Sequence, residues 1–159
     1  MKKRIVLVVL VLFSFSSPAP APAPDKQPPS QYEKDFNEAL KAQKKRDYSA
    51  AVELYRQSIA QKPDYADAWN NMGYCYRMMA VGFLNNAGDA YAKAIRYNPQ
   101  HEAALEYQGE YFVLVGQLMS AYRNYQALKQ MNSQEADKVK AKLDSVLEEA
   151  EAVLKMYSP

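Results

Sequence analysis

The sequence predicts an all-α solenoid: three helix-turn-helix repeats in register, closed at the C-terminal end by one capping helix. Three observations predict it. Residue types recur with a fixed period, apolar residues within each period fall at helical spacing, and the last stretch carries a single amphipathic stripe. The period follows from subtraction. Ala39 and Gly73, Ala42 and Tyr76, Ala87 and Ala121, and Tyr91 and Tyr125 are each 34 residues apart. Ala51 and Ala87, Tyr55 and Tyr91, and Pro63 and Pro99 are 36 apart, so two extra residues lie between Tyr76 and Ala87. Within a unit, Val52, Tyr55 and Ile59 recur at helical steps, with no strand-like alternation. A unit of this length cannot bury an apolar face alone, so neighbouring units must stack.

Composition bounds what such an array can do. The chain has 159 residues, 48% apolar and 24% charged, enough for one domain of ordinary size. The net charge of +2 depends on Lys2, Lys3 and Arg4; without them seventeen basic residues face eighteen acidic ones, leaving −1. That balance argues against a nucleic-acid partner, which needs a concentrated basic surface to neutralise phosphates. One Cys forbids an intramolecular disulfide framework, and one His removes most metal and acid–base schemes. Thirteen Tyr is the unusual count.

Taken in order, the chain opens with Lys2-Lys3-Arg4, the apolar run Ile5 to Phe13, and then Ser14, Phe15, Ser16 and Ser17. Basic, apolar and small-residue regions in that order are those of a secretory signal peptide, here residues 1–16 with cleavage after Ser16. The run is about half of the roughly 20 residues a transmembrane helix needs, so an uncleaved anchor is the weaker alternative. No Cys lies near the site for lipid attachment. Residues 17–31 follow as a spacer, because Pro18 to Pro24 alternates Pro with Ala and proline favours extended polyproline II. A proline-rich ligand for another protein is the alternative use of such a segment.

Three units fill 32–65, 66–101 and 102–131. Pro63 and Pro99 end the second helix of their units, since the residue before a proline avoids the helical region. The inserted residues fall within Met79 to Asn86, an apolar connection that either packs on itself or offers a contact patch. His101, after Pro99, is expected to be exposed and without a partner. Residues 132–159 form the cap. Asn132 is its expected N-cap, with Glu135 three residues on. Val139, Leu143, Val146, Ala150, Val153 and Tyr157 make its apolar face over about 23 residues. The same stripe has a heptad-like spacing that two copies could share.

These residues resemble the tetratricopeptide repeat. Trp69-x-x-Met72-Gly73-x-x-Tyr76, Ala87-x-x-x-Tyr91-x-x-Ala94 and Pro99 carry the resemblance in the second unit. Leu105-x-x-Gln108-Gly109-x-x-Phe112 and Ala121-x-x-x-Tyr125 carry it in the third. The first unit departs at Ala39 and Ala42, and returns to the pattern at Asp47-Tyr48, Ala51, Tyr55 and Pro63. The resemblance implies a right-handed α-solenoid. Ala39, Gly73, Gly109, Ala51, Ala87 and Ala121 would sit where helices approach most closely. Trp69, Tyr76, Phe112, Tyr55, Tyr91 and Tyr125 would fill the space between helices, which assigns most of the tyrosines to the core. Cys75, beside Gly73 and Tyr76, would be a buried structural thiol.

By the same resemblance, the first helix of each unit lines a concave groove. Its inward side chains would be Phe36, Asn37, Leu40 and Lys44 from the first unit, and Asn70, Asn71, Tyr74 and Arg77 from the second. Glu106, Tyr107 and Glu110 complete the set from the third. Aromatics, amides and both charge signs suit a protein or peptide segment. Chaperone-binding members clamp a C-terminal carboxylate with lysines, asparagines and an arginine. The matching places here hold Phe36, Leu40, Asn71, Ala103 and Tyr107, so only Asn71 agrees and a clamp is not expected. Lone His101, lone Cys75 and no Gly-rich phosphate loop leave no catalytic constellation to assemble. The expectation is an exported scaffold, periplasmic or secreted and of bacterial type, with a protein or peptide partner. No catalysis, cofactor, metal or small-molecule substrate is expected. Self-assembly into a homo-oligomer, through the repeats or the last helix, is the competing reading.

Overall fold

The computed structural model describes residues 28–79 and 81–157; the expected signal segment 1–16 and residues 17–27 of the expected spacer 17–31 lie outside them. Among the described residues there are seven α-helices and no strand. They are α1 (Gln31–Lys44), α2 (Tyr48–Gln61), α3 (Ala66–Met79), α4 (Leu84–Tyr97), α5 (Glu102–Leu114), α6 (Leu118–Gln130) and α7 (Glu135–Tyr157). A single 3-10 turn, Val81–Phe83, lies between α3 and α4. Helices pair as α1 with α2, α3 with α4 and α5 with α6, each hairpin packs on the next, and α7 lies against both α5 and α6. This is the all-α solenoid of helical hairpins that the 34-residue period predicts.

Local chemistry sets the helix ends. At α1, the Ser30 hydroxyl and backbone N–H both donate to the Glu33 carboxylate, at 2.6 Å and 2.8 Å, and these bonds, the hydroxyl's first, hold the Glu33 pKa below its usual value. Asp47 caps α2 by accepting from the Ala50 N–H at 3.1 Å. The chain reverses into α2 through Arg46 at φ 62° and into α6 through Gly116 at φ 77°, equivalent left-handed turns. Helices α2 and α4 stop at Gln61 and Tyr97, two residues before Pro63 and Pro99, as the prolines require. The Trp69 Nε1–H donates to the Pro63 carbonyl at 2.8 Å and fastens the turn into α3.

Two expectations at helix ends need correction. His101 is not a free surface residue: its Nδ1 accepts from the Ala104 N–H at 3.3 Å, capping α5, and its Nε2 lies 3.0 Å from Asp67. A helix beginning at Glu102 needs an acceptor one residue earlier, and an imidazole nitrogen supplies it. Asn132 does not cap α7. It sits at φ 54°, ending α6 in the left-handed region, and the Ser133 hydroxyl accepts from the Glu135 N–H at 3.2 Å.

The small residues mark the closest approaches. Ala39, Ala51, Ala87 and Ala121 are wholly buried. A Cβ added at Gly73 would stand 2.7 Å from the Tyr91 ring, and one at Gly109 would stand 2.9 Å from Val139 of α7. Tyr55 and Tyr91 are the largest fully buried side chains. Cys75 is buried, its thiol donates to the Gln43 side chain at 3.5 Å, and burial pushes its pKa up to about 12. In the connection after α3, Phe83 stacks on Tyr76 at 6.0 Å while remaining 38% exposed. Burial along the cap is concentrated at its start. Val139 and Leu143 are buried, Val146 is half-buried, and Ala150 and Val153 are exposed.

Candidate peptide-binding groove

Helices α1, α3 and α5 are the first members of their hairpins, and stacking puts them side by side on the inner face. At its centre the structure brings Tyr74, Arg77, Tyr107 and Glu110 together. The Tyr74 and Tyr107 rings are 5.8 Å apart. The Arg77 guanidinium lies 5.1 Å from the Tyr107 centroid and 5.8 Å from that of Tyr74, within cation–π range of both. Arg77 Nη1 donates to Glu110 Oε2 at 2.5 Å, linking α3 to α5. The two charged side chains are 19% and 21% exposed, so this pair is partly desolvated and its charges cancel where a ligand would pass. Burial raises the Tyr107 pKa, so the phenol stays neutral at physiological pH.

Tyr48 extends this row, its ring 6.4 Å from Tyr74 and nearly perpendicular to it. It comes from the first turn of α2, an outer helix, and the sequence reading of inner helices missed it. Its signal was the Asp47-Tyr48 pair, because a cap fixes the direction of the side chain that follows. Lys44, Arg46, Tyr48, Tyr74 and Met78 line a shallow depression at this end, where Lys44 and Arg46 are exposed.

The other expected groove residues are placed differently. Asn37 is exposed and Asn71 half-buried on the inner helices, and both keep some surface. Phe36 packs against Tyr55 at 5.6 Å and Tyr65 at 4.9 Å, and Leu40 packs on the first core cluster, so both are half-buried. Asn70 and Glu106 are only 4% and 5% exposed and present almost no surface to a partner. They stand 36 residues apart at equivalent positions of the second and third units. Asn70 Oδ1 is buried without a hydrogen-bond partner. Glu106 lies under α7, with Lys138 Nζ 3.3 Å away and Glu135 beside it. Its carboxyl pKa is pushed up to about 7, by burial first, then by Glu135, against the opposing pull of Lys138.

Residues 44–79 match the family model described as TPR repeat. A tetratricopeptide repeat-containing protein of Caenorhabditis elegans, trd-1, is 29% identical over 113 residues, which span 71% of this chain and 14% of that protein. Among solved structures, the Sgt2 TPR domain from Aspergillus fumigatus superposes with a TM-score of 0.69 at 20% identity. That match covers 83% of this chain and 87% of the other. The first TPR of Spaghetti (RPAP3), bound to the HSP90 peptide SRMEEVD, gives 0.65 at 19% identity over 73% and 92% of the two chains. The second human RPAP3 TPR domain, in complex with the HSP70 peptide SGPTIEEVD, gives 0.64 at 19% over 72% and 95%.

Proposed function

Because this chain is a tetratricopeptide repeat protein in sequence and fold, we propose that it is a non-enzymatic scaffold holding a peptide segment of another protein on its inner face. The observation that carries the proposal is the row Tyr48, Tyr74 and Tyr107 with the Arg77–Glu110 pair beside it. Half-buried aromatic rings give a segment apolar area at low entropic cost, and flanking amides orient it. Asn37 and Asn71 supply those amides, and Lys44 and Arg46 favour an acidic residue at the Tyr48 end.

The structural neighbours bound to EEVD peptides support peptide capture on this fold. This chain would achieve it differently. Phe36 and Leu40 stand where clamp cations would be needed, and Arg77 is already engaged by Glu110. Recognition would rest on side chains along the segment and not on a terminal carboxylate. Fluorescence anisotropy with the peptide SRMEEVD as free acid and as C-terminal amide tests this directly. We expect less than about threefold difference in Kd; a loss of tenfold or more on amidation, about 1.4 kcal/mol, would restore the clamp.

Pull-down from cell-envelope extracts, with the native chain and a Tyr74→Ala, Asn71→Ala, Arg77→Ala variant, tests the groove itself. The variant should lose the partners the native chain retains, and equal recovery would remove the assignment. Export belongs to the same proposal, resting on the basic, apolar and small-residue order of residues 1–16. Intact mass of protein recovered from a bacterial periplasm should show a new N-terminus at Ser17. An uncut chain in the membrane fraction would count against export with cleavage.

A further inference from the structure

We propose that the depression at the Tyr48 end of the inner face is a carboxylate subsite, which takes an Asp or Glu side chain of the bound segment together with an apolar neighbour. The subsite rests on the peptide reading above and names the residue pair that such a groove would select. Gln43, Lys44, Arg46, Tyr48, Tyr74 and Met78 line the depression, and no carboxylate is among them. Lys44 and Arg46 are exposed and form no ion pair among the described residues. Gln43 adds a neutral donor. Its Oε1 accepts from the Tyr55 hydroxyl at 2.7 Å and from the Cys75 thiol at 3.5 Å, which fixes the amide and leaves Nε2 to donate. The polar lining is therefore two cations, an amide donor and two phenols, a set that matches an anion. Met78, 45% exposed, and the Tyr48 and Tyr74 rings give apolar area for the residue beside it.

The negative charge of this region is already engaged. Helix α1 ends here, and the last carbonyls of a helix carry partial negative charge. Those of Lys41, Ala42 and Gln43 accept from the N–H groups of Lys45, Asp47 and Arg46 at 3.2, 3.0 and 2.9 Å. The Asp47 carboxylate caps α2 through the Ala50 N–H and does not line the depression. Beside Tyr74, Arg77 is answered by Glu110, so it offers no free charge to a ligand. The backbone supplies a second argument. Arg46 stands at φ 62°, where the equivalent turn before α6 has Gly116 at φ 77°. The left-handed region strains any residue with a Cβ, so the fold alone would favour glycine at this turn as well. An arginine kept there against that preference places its guanidinium in the lining of the depression, and strain of this kind gathers at functional sites.

Fluorescence anisotropy of the full chain with two C-terminally amidated peptides, SRMEEVD and SRMQQVN, reads side-chain carboxylates with the terminal one removed. At about 50 mM salt, where screening is weak, the native chain should bind SRMEEVD about tenfold more tightly than SRMQQVN. Lys44→Gln and Arg46→Gly should each cut that preference to about threefold or less. Lys142→Gln, which removes an exposed cation on α7, should leave it in place. Arg46→Gly should also melt at or above the native temperature by circular dichroism, which separates lost binding from lost fold. Equal binding of the two peptides, with both weakened by Tyr74→Ala, overturns the subsite and leaves the peptide groove standing. Binding of neither peptide removes both. A preference that Lys142→Gln reduces as much as Arg46→Gly does is an effect of net charge, and it too overturns the subsite.

Discussion

Gly73 is where α3 and α4 come closest, and the cost of a methyl group there can be argued in sign. A Cβ would meet the Tyr91 ring at 2.7 Å, and that ring is wholly buried with no room to swing. Helix propensity favours Ala over Gly by about 1 kcal/mol, whereas overpacking a core costs about 1–3 kcal/mol. Gly73→Ala should therefore destabilise by about 1 kcal/mol, read from the urea midpoint. Gly88→Ala is the contrasting case. Its Cβ would meet the outer end of the half-buried Tyr111 ring, which can turn aside, so stability should stay within about 0.5 kcal/mol. Glu106 gives a pH signature. Its folded pKa of about 7 lies above the ordinary 4.5, so its contribution is full below about 4.5 and lost as pH rises through about 7. Glu135 works in the opposite sense: its pKa is held low, by Lys138 first, and its contribution is lost on acidification. Relative to Glu106→Gln, the native Tm should fall between those two values; parallel profiles would show that the carboxyl titrates normally. The burial of Glu106 was not legible locally, because a carboxylate in a helix pattern is ordinary and its cover arrives with α7, some thirty residues later. His101 was misread for a related reason: its role depends on where the next helix starts.

At the scale of elements, α7 is the informative case. Its 23-residue length and apolar stripe were legible from Val139, Leu143, Val146 and Ala150. Where the surface beneath it ends was not, because periodicity describes a helix and says nothing about the length of its support. Leu143→Ala should cost about 2–5 kcal/mol, as burial in a core requires, whereas Val153→Ala should stay within about 0.5 kcal/mol. Chemical denaturation of the two variants checks the boundary. Ser133→Ala, which removes the observed cap, should cost about 1 kcal/mol, and Asn132→Ala should not reproduce that loss through α7. The turn preceding α6 was legible at Gly116, but its equivalent before α2 uses Arg46, a residue type that gives no warning of a left-handed conformation.

For the whole molecule, a fixed period was enough to give order and neighbours, since a solenoid is nearly one-dimensional. Two buried clusters result, one spanning α1 to α4 and one spanning α5 to α7. Tyr74–Tyr107 and Arg77–Glu110 bridge them. Stability should therefore be graded along the array. Hydrogen exchange at low protein concentration should be slowest in α2, α3 and α4 and fastest in α7 beyond Val146. Uniform protection to the end of α7 would contradict that grading. Of the inner helices, Tyr74, Tyr107 and Arg77 were legible because helical register fixes direction, whereas Tyr48 on α2 was not. Asn70 was not either, because helical register alone does not say which side chains the neighbouring elements cover.

Cys75 has a practical consequence. It is the chain's one thiol, and burial leaves almost none of it as thiolate at neutral pH. A cysteine introduced on the surface would thus be the one site open to a maleimide dye, with the native residue left in place. Paired labels at Asn37 and Tyr122 would report on opening between the two ends of the array, with no need to edit the core.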